Sequence, residues 1–139
     1  MNKWKSISID DVSGCGVVRP LSRHGCYCKA CTAGTPCELK REQIDVCKEW
    51  FSAHEFKVYS RAYANDGTSY SWKHAVESWS EMAKGTRHYI SNGAFIAAAL
   101  ECGWVAYVLA VGGGINAVFN FRRIRIRLVT DSKEGAGPA

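Results

Sequence analysis

The residues best suited to chemistry are the cysteines near the front of the chain. His24-Gly25-Cys26-Tyr27-Cys28-Lys29-Ala30-Cys31 is followed by Thr35-Pro36-Cys37-Glu38, so four thiols fall within twelve residues. Zinc takes four tetrahedral donors, and two thiolates two or three residues apart wrap one side of the ion. Cys28 and Cys31 have that spacing, Cys26 adds a third sulfur and Cys37 closes the set, with His24 and Cys15 as alternative ligands. Four protein ligands leave no open position for catalysis, so such a zinc is structural, a staple for a polar Gly-rich loop. A second, separated Cys-x-x-Cys pair is missing. The competing readings are therefore a loop of unligated thiols and a redox or iron–sulfur role. Cys47 and Cys102 fall on apolar helix faces and read as core residues.

A second group is Arg122-Arg123-Ile124-Arg125-Ile126-Arg127. On a strand, Arg123, Arg125 and Arg127 share one face about 6.6 Å apart, while Ile124, Ile126 and Leu128 turn to the core. Such a row, with Arg122, can grip phosphates bidentately, and Tyr107, Trp104 or Trp4 can add stacking surface. The bland alternative is an edge strand guarded from aggregation by positive charge. A third group is Lys73, His74 and His88 with Ser91-Asn92-Gly93, the last three opening a helix whose exposed N–H groups suit an anion. Its alternative is a helix cap with surface polar residues. If the two helices pack antiparallel, His88 lies near the end of the first helix and away from Lys73 and His74. No P-loop, nucleophile elbow or Ser-His-Asp arrangement occurs in the sequence.

These residues need elements to hold them. At 139 residues, 47% apolar and 22% charged, the chain suits one globular domain. A net charge of +5 permits an acidic partner without demanding one. Thr35-Pro36-Cys37-Glu38 reads as a helix start with a capping box, and Leu39, Val46, Cys47, Trp50 and Phe51 form its apolar stripe. Phe56–Tyr63 reads as a strand, and residues 69–83 as a helix with Lys73, Glu77 and Glu81 paired on a face away from Trp72, Val76 and Trp79. Ser91 caps a helix over 92–102 that is apolar on all sides and therefore buried. Residues 104–111 and 115–121 form a hairpin, and a phase change near Arg122-Arg123 predicts a bulge there. The expected fold is α+β: three helices on a short antiparallel sheet, with an irregular Cys-rich region over 1–34, a core over 35–130 and a disordered tail over 131–139. Ala94–Val111 is interrupted only by Glu101 and Gly103, and it reads as a buried helix with a following strand, not a membrane span. No signal-peptide pattern opens the chain, and seven cysteines then point to a reducing, cytoplasmic setting.

Ser69-Tyr70-x-x-Lys73-His74-x-Val76-Glu77, Tyr89-Ile90-Ser91-Asn92-Gly93-Ala94-Phe95-Ile96-Ala97-Ala98-Ala99 and Asn116-Ala117-x-Phe119-Asn120 carry a resemblance over residues 67–121. The pattern resembles one that recurs in small proteins of bacterial phages, plasmids and genomic islands. The resemblance implies a bacterial or mobile-element origin and a role in host–element conflict or element maintenance, and it assigns no catalytic residue. The leading expectation is a non-enzymatic, zinc-stabilised module that binds nucleic acid or a nucleoprotein through a basic strand. The alternatives are a phage- or plasmid-encoded inhibitor docking on a restriction or CRISPR complex, and a small enzyme using Lys73, His74 and His88.

Overall fold

A computed structural model describes residues 3–18 and 37–124 of the chain. The elements are β1 (Trp4–Ser6), a 3-10 turn (Ile9–Asp11), β2 (Val12–Ser13), β3 (Gly16–Val17), α1 (Arg41–Ala53), β4 (Glu55–Tyr63), α2 (Ser69–Lys84), α3 (Asn92–Glu101), β5 (Ala106–Leu109) and β6 (Val118–Ile124). The main sheet is antiparallel in the order β1-β5-β6-β4, and β2 and β3 form a separate hairpin. Among the described residues this is the expected α+β arrangement of three helices and a small antiparallel sheet. No helix among them is long and apolar enough to cross a membrane.

α3 is the hub. Asn92 through Ala99 are all buried, because small alanines let neighbours approach from several sides at once. α1, α2, β5 and the β2–β3 hairpin all pack on it. Beside it lies an aromatic core centred on Trp50, whose ring sits 5.0 Å from Phe51, 5.6 Å from Trp72 and 5.6 Å from Phe95. Phe121 of the sheet meets Trp104 and Phe56, each at 5.0 Å. Most of the chain's aromatic richness is thus core packing, and Trp104, a candidate stacking residue from the sequence, belongs to it.

Three local expectations are corrected. Among the described residues the first helix begins at Arg41, with residues 37–40 outside it; Thr35-Pro36, the expected start, lie outside the described residues. Lys40 is its extended N-cap. The Cys37 carbonyl, which would accept the first helical bond from Arg41, instead accepts the Gly14 N–H at 2.7 Å. Next, the front of the chain is not wholly irregular, since β1 pairs with β5 at the sheet edge. Finally, β6 runs unbroken through Arg122 and Arg123, and the bulge lies on its partner. Val58 faces Phe121 and Tyr63 faces Phe119, so β4 carries the surplus residues between those pairs.

Candidate functional site

The basic strand is only partly as its spacing predicts. Arg125, Arg127, Ile126 and Leu128 lie outside the described residues. Arg123 keeps the phase of Phe119 and Phe121, and its guanidinium rests 5.7 Å from the Trp50 ring centre and 5.5 Å from that of Trp72. Ile124, expected in the core, is 39% exposed. The reason is that an arginine can lay its aliphatic stem over the rim of an aromatic core and offer its charge to indole faces. The alternation therefore never has to reverse. Among the described residues β4 pairs with β6 as far as Ile124, but β5 pairs with it only at Val118 and Phe119, so Arg122 and Arg123 have a paired strand on one side alone.

Arg122 points the other way, on the outer face of the sheet. It sits directly opposite Lys57. Its Nε donates to the Tyr59 hydroxyl at 3.2 Å, and the Lys57 ammonium lies 5.6 Å from the Tyr59 ring centre. Bonding to Tyr59 raises the Arg122 pKa above its ordinary value and keeps the charge fixed. Tyr59 in turn stacks on Tyr63, rings 4.5 Å apart and 2° from parallel. Four residues apart on a regular strand, those rings would be about 13 Å from each other. The β4 bulge brings them together. Exposed Arg61 lies within it. Further across the same face Val118 and Asn120 are buried, and half-buried Trp4 and Tyr107 lie on its far flank. Tyr59 and Tyr63 escaped the sequence reading because only the bulge makes them neighbours. The available signal was a Tyr-x-x-x-Tyr flanked by Lys57 and Arg61 on one strand.

The Lys73, His74, His88 and Ser91-Asn92-Gly93 group separates into two places. Lys73 and His74 converge on Glu77, which spacing sets on an ion-pair face away from Trp72, Val76 and Trp79 and which is 4% exposed in the fold. Lys73 Nζ reaches Glu77 Oε2 at 3.3 Å, His74 Nδ1 meets Oε1 at 2.9 Å, and the Ile90 N–H donates to Oε2 at 3.0 Å. Arg87 approaches Oε1 at 3.5 Å. Burial alone would push the Glu77 carboxyl up. The Ile90 N–H, His74 and Lys73 together outweigh it and hold the group below the usual carboxylate range. Both carboxylate oxygens are committed, so Glu77 works as a fastener between α2 and the 85–91 segment. His88 contributes its backbone N–H to Ser80 Oγ at 2.9 Å.

The α3 N-terminus is already occupied. Ser91 Oγ accepts from the Ala94 N–H at 3.1 Å, and the Gly93 N–H donates to the Gly14 carbonyl at 3.0 Å. Asn92 Nδ2 donates to the carbonyls of Cys15 (3.0 Å) and Ile115 (3.3 Å) and to Asn116 Oδ1 (2.9 Å). A Cβ on Gly93 would sit 1.6 Å from the Ser13 carbonyl oxygen. The expected anion cradle is therefore filled by the β2–β3 hairpin's own backbone.

Of the cysteines, Cys26, Cys28 and Cys31, with His24, lie outside the described residues. Cys37 is not in the first helical turn, and its sulfur is 2.8 Å from that of Cys15. Among the described residues no three potential ligands cluster as a metal site. Cys47 is fully buried and burial pushes its thiol pKa up. Cys102, expected in the core, is exposed because it is the residue at which α3 ends. No known protein family, curated protein or solved structure matches the chain, so the reading of these sites rests on their geometry.

Proposed function

We propose that the chain is a non-enzymatic binding module that takes single-stranded nucleic acid on the β4–β6 flank of its outer sheet face. The observation that carries this is the parallel Tyr59–Tyr63 stack beside the cross-strand pair Lys57 and Arg122. Like charges directly opposite each other destabilise a sheet, and a phosphate placed between them reverses the sign of that interaction. Tyrosine rings next to such a phosphate supply stacking for any base, and unpaired bases have faces available that duplex bases do not. The net charge of +5 draws the polyanion in. The committed oxygens of Glu77 and the filled α3 N-terminus speak against the small-enzyme alternative.

Fluorescence anisotropy with short labelled RNA and DNA single strands tests the reading. Binding should weaken with salt at a slope of about −0.7 per phosphate contacted. Tyr59→Ala should cost about 1–3 kcal/mol, the range for one stacked base. Arg122→Ala should weaken binding and reduce the salt slope by about 0.7. Equal affinity in the Tyr59→Ala/Arg122→Ala variant would sink the proposal. A stoichiometric protein recovered from a bacterial lysate, with no oligonucleotide bound at any salt, would put the docking-inhibitor alternative in its place.

A further inference from the structure

Cys15 and Cys37 are 22 positions apart, yet their sulfurs approach to 2.8 Å. That approach is not left to two flexible side chains. Cys15 is the second residue of the two-residue loop joining β2 to β3, between Gly14 and Gly16. A Cβ on Gly14 would lie 2.6 Å from the Glu38 carbonyl oxygen and 3.1 Å from the Cys37 Cβ, and one on Gly16, where φ is +128°, would run into the Ile115 carbonyl. A glycine on each side therefore lets the loop tip come this close. The Gly14 N–H donates to the Cys37 carbonyl at 2.7 Å, and the Cys15 carbonyl accepts from buried Asn92 at 3.0 Å. The Gly93 N–H holds the Gly14 carbonyl, so the loop is tied twice to α3, the most deeply buried element. Sites built on such supports hold their geometry within narrow limits. Both cysteines are half-buried, which leaves them within reach of a small solute.

We propose that Cys15 and Cys37 are a reversible thiol–disulfide pair, a modification site closed by low-molecular-weight disulfides of the glutathione class. A disulfide joins sulfurs at about 2.05 Å, so the pair stands within about 0.8 Å of bonding distance and small side-chain rotations close it. First, a thiolate of the pair attacks one sulfur of the small disulfide, whose S–S bond breaks and whose other half leaves with the bonding electrons. The neighbouring protein thiolate then attacks the protein sulfur of that mixed disulfide and expels the second half. Two protein thiols are oxidised, one small disulfide is reduced to two thiols, and the two protons pass from the former to the latter. Excess small thiol runs the exchange backwards, so the bond follows the surrounding thiol–disulfide balance. Closed, it makes residues 15–37 one covalent loop and welds the hairpin that caps α3 to the segment entering α1. Cys47 takes no part, because it is fully buried and burial holds its thiol protonated. Cys102, exposed where α3 ends, is the internal control.

The test uses the full chain, reduced, then incubated in glutathione buffers of rising oxidised fraction, alkylated and mapped by peptide mass spectrometry. Fragment ions must separate Cys31 from Cys37, since no lysine or arginine lies between them. A peptide linked through Cys15 and Cys37 should appear at about tenfold less oxidised glutathione than Cys102 needs to become glutathionylated, because the second step is intramolecular. Excess dithiothreitol should remove it. The oxidised chain should melt about 5–15 °C above the reduced one, the range for one well-placed disulfide at this chain length. Cys37→Ser should show no such difference. Should that variant fail to fold, the wild-type map still decides. Bonds from Cys15 or Cys37 to Cys26, Cys28 or Cys31, in place of the bond between the two, would overturn the proposal. So would both thiols staying reduced while Cys102 is fully glutathionylated, or a copurified metal ion that shields them from the oxidant. Oligonucleotide binding by the sheet is read out separately and does not enter this result.

Discussion

Glu77 is the side chain at which one atom's change should be felt most. Its i,i+4 relation to Lys73 is legible from spacing, which sets the pair on a face away from the apolar stripe. What spacing could not convey is that the 85–91 segment folds back and delivers the Ile90 N–H to the carboxylate. Glu77→Gln keeps the shape and removes the charge, leaving Lys73, itself 7% exposed, without its counter-ion. Breaking a buried pair from one side costs about 3–5 kcal/mol. Urea unfolding should show a loss of that order, against under about 0.5 kcal/mol for Glu81→Gln, whose side chain is 62% exposed. The same carboxylate gives stability a pH dependence. Its pKa is lower folded than unfolded, so its contribution is complete above the ordinary 4.5 and fades as pH falls through the folded value. Glu101 behaves alike: the bidentate hydrogen bonds from Arg41, each 2.8 Å, pull its carboxyl down to about 2. Unfolding free energies between pH 5 and pH 2, the window those shifts define, should fall steeply in the wild type and more shallowly in the Glu77→Gln/Glu101→Gln variant. Parallel curves would show that these groups do not set acid stability.

At the scale of elements, the hairpin cap on α3 is the arrangement most exposed to test. Gly93→Ala would drive a methyl group into the Ser13 carbonyl, 1.6 Å away, on a hairpin that cannot retreat without giving up the Gly93–Gly14 bond. Overpacking of this kind costs about 1–3 kcal/mol, and more where the obstacle is backbone. Gly114→Ala is the control: a Cβ there meets nothing within 4 Å and its φ is not positive, so it should be neutral or stabilise by up to about 1 kcal/mol. Thermal melts of the two variants check the contrast, and equal melting temperatures would refute the sealed-cap account. α2, α3 and the β5–β6 hairpin were readable because their signals are local: periodic apolar residues, Ser91 as a cap whose Oγ takes the Ala94 N–H, and Gly85 and Gly103 in the left-handed region. The start of α1, the pairing of β1 and the bulge in β4 were not, since each is decided by a partner distant in sequence. Gly14 sets the first, β5 the second and β6 the third.

For the whole molecule, the open question is which cations serve binding and which serve solubility. The sheet ends in β1 on one side and β4 on the other. β4 is the hazardous edge: nine residues long, rich in aromatic and β-branched side chains, with Val58 61% exposed. Such an edge invites pairing with a second copy unless charge, bulge or brevity prevents it. β4 has two of these devices, the bulge and the charges of Lys57 and Arg61. Lys57→Thr/Arg61→Thr should therefore stay folded, its far-ultraviolet dichroism unchanged, yet associate as concentration rises in light scattering. Lys57 also belongs to the proposed nucleic-acid patch, so this variant should lose affinity as well. Arg122→Thr separates the roles, because it removes the charge bonded to Tyr59 and leaves both charges of β4 in place, so affinity should fall with no change in scattering. If the β6 substitution provokes association as strongly as the β4 pair does, charge on β4 is not what keeps the sheet single.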